Sequence, residues 1–203
     1  MPASSTMHFY FNWAKERIDE MDAALASLEA SAKQVKADAK VKADQSIAEL
    51  KKRRSEFEEL AKKQVEAGEA AWQRARPQLE AQWNEFESQL KAYVDTAGKQ
   101  IAQHQATFRG VAAAQVRAWR EAAEKLRDEG AKMPAANRPE IDSAVTQMKA
   151  EAAEVDARLQ KLKQAGNESW SAFSAALAES RKAFDQANQA AWDALKRAGA
   201  PKS

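Results

Sequence analysis

Two histidines and no cysteine are the sparse material for side-chain chemistry in this chain of 203 residues. His104 stands between Ile101 and Phe108 on a run of apolar residues, and His8 lies in the opening MPASSTMHFYFNW. A histidine needs neighbouring ligands to hold a metal, or a nucleophile to activate, and neither histidine has them in sequence. Without cysteine there is no thiolate, disulfide or catalytic thiol. Aspartate and glutamate are plentiful, but they sit three and four residues from lysine and arginine, a spacing that supports solvated helix faces. No glycine-rich loop follows a strand, so no phosphate cradle is present. No catalytic residue, cofactor site or metal site is expected, and the chain reads as non-enzymatic.

Binding chemistry is the alternative. KKRR at 51–54 is the densest basic run, but SEFEEL follows at once with acids. On a helix those four residues spread around most of the circumference. The chain balances 32 basic against 30 acidic side chains, a net charge of +2. Nucleic-acid binding therefore has little behind it. The six tryptophans are the stronger feature. Trp72, Trp83, Trp119, Trp170 and Trp192 fall on or beside apolar stripes, together with Phe86, Phe173 and Phe184. They read either as core anchors between helices or as an aromatic face that enters a lipid or granule surface.

Those residues need helices to position them. Alanine, lysine, glutamate, glutamine and arginine dominate, and they are the strongest helix formers. Apolar residues recur at steps of three and four, as in Ile18, Met21, Leu25, Leu28 and again in Trp72, Leu79, Trp83, Phe86, Leu90. No segment alternates with a period of two. Narrow stripes on chains that are 31% charged must be buried against another helix. The spacing predicts an all-α, elongated antiparallel bundle or coiled coil of long helices. The expected parts are a flexible aromatic segment 1–11, helical unit(s) over 12–127, a loop at 128–139, a second unit over 140–198, and a tail 199–203. HFYFNW at 8–13 can serve as a helix-start cap, with Asn12 as N-cap, or as an aromatic anchor. The long first segment, Asn12 to about Arg127, reads as two arms of about 80–90 Å with a bend or turn within 66–77, and a turn there would give three helices of similar length, as in a three-helix bundle.

AGEAAW at 67–72 and AGNESW at 165–170 bring out a second level of order. Gly68 and Gly166 are 98 residues apart, and at that offset Trp72 meets Trp170, Leu79 meets Leu177 and Phe86 meets Phe184. Ile47, Leu50 and Phe57 likewise meet Val145, Met148 and Val155. The 140–198 segment thus repeats the 42–100 pattern. Gly68 and Gly166 fall on the stripe, where a glycine admits a close neighbouring helix. The alternative is a kink or C-cap at each. Pro77 adds a reason for a bend or turn within 66–77.

The charged coil leading into A-G-x-x-x-W, then the amphipathic helix WSAFSAALAESRKAFDQANQAAWDALKRA, resembles a family of small bacterial coiled-coil stress-response proteins first recognised in cyanobacteria. The resemblance spans most of 12–198 as two units in tandem. It implies a stress-linked role and carries over no catalytic residues. The same helices resemble apolipoprotein-type and phasin-type segments, which coat lipid or polymer surfaces. Two functions are therefore expected. The first is a scaffold that pairs with itself or another helical protein. The second is a coat on a membrane or storage granule. The opening residues lack the basic-then-apolar order of a signal peptide. No stretch reaches the roughly 20 apolar residues of a membrane span. A cytoplasmic location is expected.

Overall fold

In a computed structural model the protein is built from helices alone among the described residues, which are 3–97, 101–164 and 170–199. The order is α1 (Ala3–Ala32), α2 (Ala37–Ala67), α3 (Glu69–Ala97), α4 (Ile101–Ala131), a 3-10 turn (Ala135–Asn137), α5 (Arg138–Gln164) and α6 (Trp170–Gly199). Each α-helix has 27 to 31 residues, about 45 Å at the usual rise. The all-α bundle expected from the periodicity is present. Its rods are half the expected length because the chain turns back more often than its breakers suggest.

Successive helices run antiparallel. Arg54 on α2 pairs with Asp22 on α1, and Arg53 pairs with Glu85 on α3. Arg120 on α4 reaches Asp156 on α5, and Arg197 on α6 reaches Glu140. The result is two three-helix units, α1–α3 and α4–α6. They join through α1 and α4, which are antiparallel as well. Lys125 donates to Asn12 Oδ1 at 3.2 Å, Lys15 pairs with Glu121 at 3.0 Å, and Gln115 donates to Glu20 at 2.9 Å. The hydroxyls of Ser27 and Thr107 meet at 2.8 Å. The midpoint of this ladder falls near Ile18 on α1 and Val116 on α4. Those two positions are 98 apart in sequence, as a pseudo-two-fold relation between the repeats requires.

Four sequence expectations are corrected. Of the segment 1–11 expected to be a flexible lead-in, residues 3–11 are helical. Helix α1 starts at Ala3, so Asn12 is interior and is no N-cap. Phe9, Tyr10 and Trp13 are buried against Trp72, Phe57 and Trp192. The unit 12–127 is not two arms with one bend. It holds α1, α2, α3 and most of α4. The first reversal is made by Lys33–Lys36, without glycine or proline, by the amides of Gln34 and Val35 donating to Ser31 and Ala32. Gly68 is a turn and not a stripe glycine. Its φ of 92° is a conformation side chains rarely adopt, and a Cβ there would meet nothing within 4 Å. Its amide donates to Val65 and its carbonyl accepts from Trp72, closing α2 onto α3 in one residue. Pro77 neither kinks the path into two helices nor starts one, since α3 runs on through it.

The close approach expected of a glycine exists elsewhere. A Cβ on Gly130 would stand 2.7 Å from Ile141 Cγ2 across the α4–α5 hairpin. In the first repeat the same two positions are Ala32 and Ala43, both buried. Two alanines in the first half thus answer to glycine and isoleucine in the second.

Candidate functional site: a buried charge cluster where the repeats meet

Along α1 the stripe Tyr10, Trp13, Met21, Ala24 is interrupted by Glu16, Arg17 and Glu20, and all three are buried. Gln115 on α4 and Arg181 on α6 close over them and are buried too. The helical period leaves these residues no other place, since Trp13, Arg17, Glu20 and Ala24 follow the 4-3-4 spacing of a core face.

The carboxylate–guanidinium forks of the cluster cross between the two units. Arg181 forks onto Glu20, with Nε donating at 3.1 Å and Nη2 at 2.8 Å. Gln115 Nε2 donates to the same carboxylate at 2.9 Å and to the Leu177 carbonyl at 3.0 Å. Arg17 forks onto Asp185 at 3.0 and 2.7 Å. Arg17 also lies over the Trp13 ring at 3.8 Å, and Arg181 over Trp83 at 4.4 Å. Bidentate guanidinium–carboxylate pairs fix orientation as well as charge.

The two carboxyls of α1 are driven apart in acidity. Burial raises Glu16 well above the ordinary glutamate value, and the neighbouring Glu20 carboxylate raises it further. Burial opposes the charge of Glu20 also, but the Arg181 guanidinium and the hydrogen bonds from Glu16, Arg181 and Gln115 hold it below the ordinary value. Glu16 is thus the proton carrier and Glu20 the anion. Arg17 Nη1 donates to Glu16 Oε2 at 3.2 Å. Burial opposes the charge of Arg181, and the charge and hydrogen bonds of Glu20 more than offset that, raising it.

Trp72, Trp83, Phe86, Trp119, Trp170, Phe173, Phe184 and Trp192 are all buried, so the aromatic stripes are core in this structure. Phe108 stacks on Phe173 at 4.4 Å, and Trp119 meets Phe184 edge-on at 5.4 Å. Gly68 is not at a packing interface, and Gly166 lies outside the described residues. His104 is half-buried with its ring 6.1 Å from Trp170. The side chain of His8 lies outside the described residues. The basic run at 51–54 is matched residue by residue with acids: Lys51 with Glu29, Lys52 with Glu56, Arg53 with Glu49 and Glu85, Arg54 with Asp22 and Glu58. Among the described residues no group of three histidine or acidic side chains is placed to hold a metal. No helix among them is long and apolar enough to cross a membrane. The charge cluster was the feature that reading the aromatics missed. Its signal was available, since Arg17, Glu20 and Arg181 stand at stripe positions.

Compared with protein-family models, with curated protein sequences and with solved structures, the chain shows no match.

Proposed function

We propose that this is a non-enzymatic helical interaction protein that works as a scaffold by pairing its repeats, α1 of one against α4 and α6 of the other. The observation that supports this is the buried charge cluster. Dry apolar stripes on alanine-rich helices fit many registers, whereas the forks of Arg181 on Glu20 and Arg17 on Asp185, with Gln115 donating to Glu20, form in one register. A seam of that kind is a recognition device. Because its two sides belong to equivalent units, the same seam can form between two chains, the α1–α3 unit of one docking on the α4–α6 unit of the other. Self-association by unit exchange is the proposed mechanism. A stress-linked role in a bacterial cytoplasm, from the resemblance to coiled-coil stress-response proteins, is part of the same proposal.

The chain has no cysteine, so two introduced thiols report the seam without interference. Ser27→Cys with Thr107→Cys replaces hydroxyls that meet at 2.8 Å. Oxidation of concentrated protein is expected to give disulfide-linked dimers and larger species on a non-reducing gel. If every concentration gives only an internally linked monomer, scaffolding by repeat exchange is wrong. The surface-coat alternative has less support. Among the described residues, Phe11 at 47% and Val41 at 63% are the large hydrophobics left exposed. The closed bundle therefore offers lipid little apolar surface. Co-sedimentation with liposomes that survives high salt and shifts tryptophan emission would favour the coat.

A further inference from the structure

Where the units meet, carboxyls outnumber the guanidiniums that serve them. The fork of Arg17 is committed to Asp185 and that of Arg181 to Glu20, while Arg181 also reaches Glu87 at 3.4 Å. Glu16, wholly buried, is left with one edge contact, from Arg17 Nη1 to Oε2 at 3.2 Å, and its Oε1 accepts from no donor. Its remaining contact is with Glu20, and two carboxyls hydrogen-bond only when one carries a proton. The surrounding cations are all engaged. On α1, Lys15 pairs with Asp19 and Glu121. On α4, Lys125 donates to Asn12, and the neutral Gln115 is spent on Glu20. Arg76 of α3 is held by Glu80, and Arg54 of α2 by Asp22 and Glu58. An ionised Glu16 would therefore set a second carboxylate beside Glu20 in a buried site without a counter-ion of its own.

Relief comes most directly by parting the units. The forks cross between them, and their outer acids, Asp185 and Glu87, are already partly exposed. Helices α3 and α6 touch only sparsely, and a cleft of about 410 Å³ between them reaches Glu20 and Arg181. Each unit keeps an apolar core of its own, with Trp13 on Phe57 and Trp72 in one and Phe108 on Phe173 in the other. We propose that the proton on Glu16 is the latch of the seam: while it is held the α1–α3 and α4–α6 units stay closed, and its release lets them part without either unit unfolding. The latch rests on the seam proposed above as the recognition surface, and concerns its opening within one chain.

The test reads that opening in dilute full-length protein, where exchange between chains plays no part. Thr107→Cys places a thiol at a buried position of the seam, opposite Ser27. Val145→Cys places one in the core of the α4–α6 unit, as a reporter of unfolding. Alkylation rates from pH 5 to pH 9 are divided by those of the urea-unfolded chain, which removes the titration of the thiol. The Thr107→Cys rate should rise by up to about ten-fold per pH unit and then level once Glu16 is ionised in the closed form. The Val145→Cys rate should stay at least about ten-fold slower, because the units remain folded. Glu16→Gln should flatten the Thr107→Cys profile. Ala24→Cys, buried on the α1 side, and Val155→Cys are the second reporters of seam and core if the first pair fails to fold. A flat seam profile, a slope that survives Glu16→Gln, or equal rates at seam and core would each overturn the latch. None of these results touches exchange between chains, which stands or falls on the disulfide-linked species formed at high concentration.

Discussion

Arg181 lies over the face of Trp83, 4.4 Å from guanidinium carbon to ring centroid, and the two residues hold the same position in the two repeats. The pseudo-two-fold relation is thus broken where the units meet. One repeat supplies a cation and the other the aromatic face that receives it. The same holds on the first helices, where Glu16, Arg17 and Glu20 of α1 answer to Ala114, Gln115 and Ala118 of α4. At these positions the two halves are complementary, with acids on α1 meeting a base on α6.

Removing one member of that arrangement strands the other in a buried site. Arg181→Met leaves Glu20 with only the Gln115 amide and its proton-sharing neighbour. A loss of about 3–5 kcal/mol in stability is expected. Adding Glu20→Leu to Arg181→Met removes the stranded charge and should recover most of the loss. Urea unfolding of the two single variants and the double variant gives the coupling directly. Additive losses would mean that the pair is not linked as its geometry requires.

The glycine–isoleucine pair across the α4–α5 hairpin makes a second test. Gly130→Ala forces its new methyl against Ile141 Cγ2, and overpacking of this kind costs about 1–3 kcal/mol. Ile141→Ala alone leaves a cavity and costs about 2–5 kcal/mol. Together they install the Ala32–Ala43 pairing of the first repeat. Their combined cost should fall short of the sum by about 1 kcal/mol or more. Thermal or urea unfolding of the cycle measures it. Gly110→Ala, whose methyl would meet Ala23 at an ordinary 3.5 Å, is the control and should be neutral or slightly stabilising.

At Gly68 the penalty has a different origin. The space around it is open, and the backbone alone demands glycine, with φ 92° and ψ −176°. Gly68→Ala should cost about 1–3 kcal/mol. A stabilised variant would mean that α2 and α3 meet by some other turn.

Much of this architecture could be read from the residue pattern, and the parts that could not have physical causes. Periodic stripes marked the helices, because the 3.6-residue spacing survives in the chain itself. The reversal at Lys33–Lys36 left no such mark. It is made from ordinary helix formers, and the turn is imposed by burial of Leu28 and Ile47 on the same core. Pro77 misled in the other direction, since the packing of α3 outweighs the loss of one backbone bond. The aromatic stripe residues read equally as core anchors or as an interface face, and Trp72, Trp83, Phe86, Trp119, Trp170, Phe173, Phe184 and Trp192 are buried. The charge cluster was legible only by asking why Arg17, Glu20 and Arg181 occupy core positions. The answer lies in helices far apart in sequence, and a local pattern cannot pair them.

The acidity of the α1 carboxyls gives the last prediction. Glu16 is raised in the folded chain, so between its unfolded value near 4.5 and its higher folded value the native state holds a proton that the unfolded state has released. Stability therefore falls as pH climbs through that window. Glu20 is lowered, so its contribution is present above 4.5 and is lost as pH drops through its folded value. The two limbs bracket a maximum on the acidic side of neutrality. Glu16→Gln keeps the hydrogen-bonding shape of a protonated carboxyl without a proton to lose. It should flatten the upper limb and raise stability at neutral pH, leaving the acid limb in place. Glu20→Gln should do the reverse, lowering stability at neutral pH and weakening the acid limb. Urea midpoints taken from pH 3 to pH 9 distinguish them. An upper limb unchanged by Glu16→Gln would show that Glu16 is ionised in the fold and that the proton is not shared.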